Sequence, residues 1–370
     1  MTRNARSDAL HSAVRGFAAG ESARTFEDLA LEIADFQRDF SPGFARLLAA
    51  RGAPLDCVEG IPGVPCDAFR LARVAVHPET EDRLRFATSG TTSGARGLHA
   101  MRTTETYRVL ALSFGRQALL SSDHARARHV VALAPRLDDP PTSSLGYMMA
   151  LFMVDFAQQD DKAPEHWLID EHGVNVAGLA HAGRHALEAD KQLVLLATSF
   201  ALVSLLDALD GKRLSVPEST VVMQTGGFKG KTREIAPSEL RSMVAQCFGI
   251  SEQQVLGEYG MTELTSQLYE ATLPGSVLEA SRHGTPGVYF EPPWLRVVPV
   301  DPTTLKAVPP GEVGIARIVD LGNVDSALAI QTQDRVRRVA GGIELLGRAA
   351  GAPPRGCSLA VEEFLAAHSS

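Results

Sequence analysis

The segment Arg85-Phe86-Ala87-Thr88-Ser89-Gly90-Thr91-Thr92-Ser93-Gly94-Ala95-Arg96-Gly97 concentrates groups that can hold an anion. Eight of the ten residues from Thr88 to Gly97 are Thr, Ser or Gly. Glycines let a backbone turn its N–H groups toward a negative charge, and the hydroxyls of Thr88, Ser89, Thr91, Thr92 and Ser93 add donors around Gly90 and Gly94. Arg96 adds a forked guanidinium. A flexible polar loop has the same composition, so composition alone leaves both readings open. A second segment, Gly226-Gly227-Phe228-Lys229-Gly230-Lys231-Thr232, ends like a Walker A loop. That loop needs four residues between its first glycine and Gly-Lys-Thr. Gly226 leaves three, and Thr225 stands where the glycine belongs, which argues against a P-loop NTPase.

In Gly257-Glu258-Tyr259-Gly260-Met261-Thr262-Glu263, Tyr259 has a ring that can stack on a base. Thr262 has a hydroxyl for a phosphate, and Glu263 a carboxylate for a hard cation. A carboxylate on a polar turn is equally at home in solvent. Gln331-Thr332-Gln333-Asp334 ends in a lone acid, and Arg348 lies fourteen residues beyond it. Cys357, two residues after Arg355, is a thiol whose ionisation a nearby cation favours; a buried or idle thiol is its other reading. His99, just past the hydroxyl-rich segment, can meet a carboxylate or simply pack.

Elements must hold these residues together. Thr25 with Asp28 forms a capping-box start, and Phe26, Leu29, Ile33, Phe36 and Phe40 recur at helical spacing until Ser41-Pro42-Gly43 stops the helix. A second helix is expected over 44–50. Strands are expected over 129–135, 192–198 and 220–224, and helices over 143–156, 199–209 and 237–248, with Gly249 at the last one's end. Tyr147, Met148, Met149, Phe152 and Met153 on the 143–156 helix are core residues or the wall of an apolar tunnel. The alternation predicts α/β layering with parallel strands. From Gly284 the texture turns β-rich, with strands expected over 294–300, 314–319, 327–331 and 335–339. The expected organisation is an α/β core over 1–283, a small β-rich subdomain over 284–346 and a tail over 347–370.

The chain has 370 residues, 45% hydrophobic and 22% charged, with a formal net charge of −8. It is long enough for a full core and more than one packed unit. An acidic balance disfavours nucleic acid and polybasic membrane binding. No apolar run reaches membrane-spanning length, and the start lacks the apolar stretch of a signal peptide. Cys57, Cys66, Cys247 and Cys357 form no CxxC pair and no zinc spacing. The expectation is a cytoplasmic enzyme.

Taken in order, the motifs resemble the adenylate-forming superfamily of acyl-CoA synthetases, adenylation domains and luciferases. Thr88–Gly97 is similar to its phosphate loop and Gly226-Gly227 to its adenine-side glycines. Tyr259-Gly260-Met261-Thr262-Glu263 matches Tyr-Gly-x-Thr-Glu, and Gly311-Glu312-Val313-Gly314 matches Gly-Glu-x-Gly. Asp334 and Arg348 fit the ribose-binding aspartate and the arginine that follows it. Within the superfamily the chain most resembles the acyl-protein synthetases (the LuxE family), through Phe26 to Gln37, Ile61-Pro62-Gly63-Val64-Pro65 and Arg355-Gly356-Cys357-Ser358-Leu359.

The resemblance implies the superfamily's large layered core without its C-terminal lid domain, since 24 residues run from Gly347 to Ser370. It implies ATP and Mg²⁺ as cofactors and activation of a carboxylic acid, most readily a long-chain fatty acid, to acyl-AMP. Thr88, Ser89, Gly90, Thr91, Thr92, Ser93, Gly94 and Arg96 would cradle phosphates. Gly226, Gly227, Tyr259 and Gly260 would frame adenine, with Asp334 on the ribose. Thr262, Glu263 and Arg348 would serve the reaction, with Glu263 on the metal. Cys357 would take the acyl group and pass it to a partner such as a reductase. With no lid lysine, Lys229, Lys231 or Arg348 would supply the missing cation. Two alternatives stand beside this: a ligase using free CoA or an amine, with an acyl or aryl acid, and a non-catalytic acyl-adenylate-binding subunit.

Overall fold

A computed structural model describes residues 1–52, 54–88, 96–121, 127–226 and 235–349. The chain opens with helices α1 (Arg3–Ala18) and α2 (Phe26–Phe40). The capping box at Thr25 is formed: its hydroxyl accepts from the Asp28 N–H while the Asp28 carboxylate accepts from the Thr25 N–H. These bonds satisfy donors that a helix start leaves open. The proline expected only to stop α2 instead opens α3 (Pro42–Arg51), capped by Ser41. At the first helical position its missing N–H costs nothing and its fixed φ suits the helix. Then come the short strand β1 (Val64–Pro65), the one-turn helix α4 (Ala68–Leu71) and a hairpin of β2 (Leu84–Ala87) and β3 (Leu98–Met101).

The α/β part runs α5 (Glu105–Leu119), β4 (Arg128–Pro135), α6 (Ser144–Ala157), β5 (Trp167–Asp170), β6 (Gly173–Val174), α7 (Val176–Glu188), β7 (Gln192–Thr198), α8 (Ser199–Leu209), β8 (Val221–Thr225), α9 (Pro237–Phe248) and β9 (Val255–Tyr259). Strands β9, β8, β7, β4 and β5 lie side by side and parallel. Val130, Ala132, Val194, Leu196, Met223 and Leu256 face the core that contains α5 and α6. Val131, Leu133, Leu193, Leu195, Val222 and Val255 face the core built with α7, α8 and α9. Burial on both faces explains why these strands read as near-continuous apolar runs.

The remaining elements are β10 (Leu268–Glu270), α10 (Val277–Arg282), β11 (Val288–Phe290), β12 (Leu295–Val300), β13 (Val313–Asp320), β14 (Ala329–Val339) and β15 (Gly342–Arg348). They extend the same sheet antiparallel from β9 through β10, β11, β15, β14 and β13 to β12, and β1 lies parallel against β14. The two strands expected over 327–331 and 335–339 are one strand. Register shifts at Ile315/Arg317 against β13 and at Asp334/Val336 against β15 absorb the polar residues that read as a break. Among the described residues no helix is long and apolar enough to cross a membrane.

Gln37 ties α2 to the site. Its side chain is fully buried; its amide donates to the carbonyls of Asn323 and Val324, and its Oε1 accepts from the Leu328 N–H. Gln37→Leu keeps the volume but strands three buried backbone groups, each worth about 1–3 kcal/mol. A thermal midpoint lowered by about 5 °C or more is expected, against a nearly unchanged midpoint for a substitution at exposed Glu32.

Candidate active site

The hydroxyl-rich segment joins β2 to β3, which pair as a hairpin. Ala87 pairs with Leu98 as the last rung. Beyond it the Thr88 N–H donates to the Gly97 carbonyl at 2.9 Å, and the Gly97 N–H donates to Thr88 Oγ1 at 2.9 Å. A Cβ on Gly97 would come within 3.1 Å of Thr88 Cγ2 and 3.4 Å of the Arg70 N atom, so glycine is what lets this neck close. Arg96 is exposed beside it. Ser89, Gly90, Thr91, Thr92, Ser93 and Gly94 lie outside the described residues, as do Gly227, Lys229, Lys231, Arg355 and Cys357.

Gly226 follows β8 with φ near +71°, where a side chain would be strained, and its carbonyl accepts from Ser199 Oγ at 2.6 Å. On the neighbouring strand β9, the Tyr259 hydroxyl donates to Asp334 Oδ2 at 2.7 Å. Asp334 and Arg348 are register partners across β14 and β15, and Arg348 Nε donates to Asp334 Oδ1 at 3.3 Å. Burial, and then the Asp334 charge, push the Tyr259 phenol well above its usual range, which keeps it a donor. Three residues singled out at 259, 334 and 348 therefore form one cluster.

Thr262 and Glu263 follow on the turn after β9. Thr262 Oγ1 lies 3.4 Å from Ser144 Oγ at the start of α6. Its carbonyl accepts from His99 Nδ1 at 2.8 Å, and His99 Nε2 meets Ser326 Oγ at 2.9 Å. A carbonyl only accepts, so Nδ1 carries the proton and Nε2 receives the serine hydroxyl. His99, left open between ligand contact and packing, is thus a buried clamp between the hairpin, the Thr262 turn and the 323–328 loop. Glu263 is 7% exposed, and its carbonyl accepts from Asn323 Nδ2 at 3.0 Å. Cys66 completes the floor: its thiol donates to the Gln331 carbonyl, and burial, then the charges of Glu263 and Asp334, push it well above its ordinary range. Sequence reading gave no role to Ser144, Ser326, Asn323 or Cys66; all four reach the site through contacts far apart in the chain.

Among the described residues no group of three or more His, Cys, Asp or Glu is placed to hold a metal ion. A single buried carboxylate at Glu263 fits Mg²⁺ as usually bound with nucleotides, where phosphates and water supply most ligands. Met148, Met149, Phe152 and Met153 of α6 are packed at 0–1% exposure. Tyr147 is half-buried in an aromatic trio with Phe86 and Tyr107. Only Tyr147 among these five is open enough to line a pocket.

Burial pulls the His99 imidazole down to about 4. Between its ordinary value of 6.5 and about 4, the unfolded chain binds a proton that the folded one refuses, so this residue's contribution is full above 6.5 and is lost as pH falls. Buried Glu258 and Asp320, held up at about 7 and about 6, act in the opposite sense. The difference between wild type and His99→Gln isolates the imidazole. Denaturant unfolding should show wild type losing on the order of 3 kcal/mol relative to that variant between pH 6.5 and 4.

A family model described as acyl-protein synthetase, LuxE, matches residues 55–366. Among solved structures, a 2-hydroxyisobutyryl-CoA ligase in an open conformation with 2-HIB-AMP and CoA is similar at 12% identity and a TM-score of 0.57, covering 86% of this chain and 73% of that one. The same ligase in its thioesterification state gives 12% identity and 0.58, covering 94% and 69%. ATP-bound MatB from Rhodopseudomonas palustris gives 16% identity and 0.48; the match covers 71% of this chain and about half, 47%, of MatB. No curated protein sequence matches at a significant level. The likeness to the 2-hydroxyisobutyryl-CoA ligase shows the large mixed α/β fold of adenylate-forming ligases, and the family match, over most of its length, shows that the chain belongs to the acyl-protein synthetase, LuxE, family.

Proposed function

We propose that this chain activates an aliphatic, fatty-type carboxylic acid with ATP to acyl-AMP, then passes the acyl group through the Cys357 thiol to a partner protein such as a reductase. The observation that carries the reading is the convergence at the carboxyl end of β9. Tyr259 reaches Asp334, Thr262 is clamped by His99 to the base of the β2–β3 hairpin, and the next residue, Glu263, is buried. In open α/β sheets, ligands bind beyond the carboxyl ends of the parallel strands.

In this reading a substrate carboxylate oxygen attacks the α-phosphorus of ATP, the bond to the bridging oxygen breaks, and pyrophosphate leaves. The segment from Thr88 to Gly94, with Arg96, holds the leaving phosphates. Tyr259, Gly226 and Gly227 flank adenine, Asp334 receives ribose hydroxyls, and Thr262 and Arg348 approach the α-phosphate. Glu263 would hold Mg²⁺, which supplies Lewis-acid charge on phosphate oxygens. Catalysis is then mostly positioning and electrostatics. The Cys357 thiolate next attacks the acyl-AMP carbonyl, forming a thioester and releasing AMP.

Acid-dependent ATP–pyrophosphate exchange with Mg²⁺ is the expected activity, and Glu263→Ala should lower it by about 10²–10³. Exchange absent with every acid, while ATP still binds, would leave a binding subunit in place of the enzyme. ATP with labelled acid should also leave a hydroxylamine-sensitive label on the protein. Cys357→Ser should remove the label and spare exchange; a label mapping to Cys66 or Cys247 would reassign the acceptor.

A further inference from the structure

On the α5–α6 face of the sheet, the last residues of β8 and β9 are polar. Thr225 Oγ1 donates to Glu258 Oε2, and Glu258 is 4% exposed. A Cβ added to Gly260 would lie 2.5 Å from Glu258 Oε1 and 3.4 Å from Gln267 Cγ, so both side chains converge on the glycine of the Tyr-Gly motif. Gln267 is 5% exposed, and its Oε1 is buried with no hydrogen-bond partner among the described residues. It neighbours Tyr107, whose hydroxyl donates to the Ser144 carbonyl. Ser144 Oγ in turn meets Thr262 Oγ1. Two acceptors thus stand one short relay from the threonine assigned to the reacting phosphate, on the face where half-buried Tyr147 opens.

A buried acceptor without a donor is expensive, and native proteins rarely leave one. We propose that the acid accepted by this site carries a hydrogen-bond donor, a hydroxyl or a protonated amine, on the carbons next to its carboxylate, received by Glu258 and Gln267. The inference rests on the adenylation reading for the position of the carboxylate beside Thr262. The polar pair, not an alkyl wall, meets the first carbons, and the apolar packing of α6 begins only beyond them. The competing donor is Glu258's own proton, since burial holds that carboxyl at about 7.

The test compares binding by calorimetry for three acids of equal chain length: unsubstituted, hydroxylated at carbon 2 or 3, and aminated at carbon 2 or 3. ATP–pyrophosphate exchange is run on the same set. A substituted acid should bind and exchange about 10²-fold better than its parent, because a site built around a substrate donor strongly rejects the analogue lacking it. The hydroxy and amino arms identify the donor. Gln267→Met and Glu258→Gln probe the two acceptors separately. Gln267→Met keeps the shape while removing the orphaned oxygen, so it should fold at least as well and shift preference toward the unsubstituted acid. Equal or better binding of the unsubstituted acid by wild type overturns the inference and assigns the donor to Glu258 itself. Loss of exchange with every acid while the binding preference persists overturns the adenylation reading and leaves the donor preference standing.

Discussion

The His99 imidazole is the point on which the site's geometry turns. One ring nitrogen holds the Thr262 carbonyl, the other holds Ser326, and the backbone carrying it is the strand that leaves the hydroxyl-rich hairpin. Three segments that no local rule brings together are fixed to one rigid ring. Burial keeps the ring neutral, and the carbonyl keeps its tautomer. Phe69 meets it edge-on, closing the side that water would otherwise reach.

Support for the clamp comes from behind. Gln37 on α2 satisfies three backbone groups of the 323–328 loop. Asp325 of that loop accepts from Ser7, His11 and Arg102, and these donors hold its carboxyl down at about 2. Asn323 of the same loop donates to the Glu263 carbonyl. The N-terminal helices therefore act as an outer layer that stiffens the loop holding Ser326, and through it the turn carrying Thr262 and Glu263. Precision at a reacting centre needs such support, because small displacements there cost rate steeply.

Local patterns made part of this legible. The α2 helix, its capping box, and β7, α8 and α9 follow from apolar period and cap chemistry within a few turns of chain. Strand β14 did not read as one element, because Thr332, Gln333 and Asp334 look like a turn until bulged pairing on both sides absorbs them. Tyr259, Asp334 and Arg348 were singled out because their spacing matches a known pattern, and the structure brings them into one cluster. His99–Ser326 and Thr225–Glu258 were not, being pairs 227 and 33 residues apart with no periodicity to announce them. The α6 methionines, which read as core or tunnel wall, are packed as core. Residues that could wall a tunnel are indistinguishable by type from residues that fill a core, and only packing separates them.

Asp334 is a carboxylate held by two unequal partners. Both its oxygens are engaged, one by Tyr259 and one by Arg348. The two partners differ in strength. The Tyr259 bond is short and its phenol is held protonated by burial, so losing it would strand a buried hydroxyl. Arg348 is 71% exposed at 3.3 Å, a geometry in which solvent takes over the guanidinium at little cost. A hydroxyl arriving at Asp334 therefore competes with Arg348 and not with Tyr259. Freed of that pairing, Arg348 keeps its charge at the end of β15, on the strand that leads directly into the segment bearing Cys357. The unequal burial of its two partners thus makes the arginine the one that a competing donor would displace.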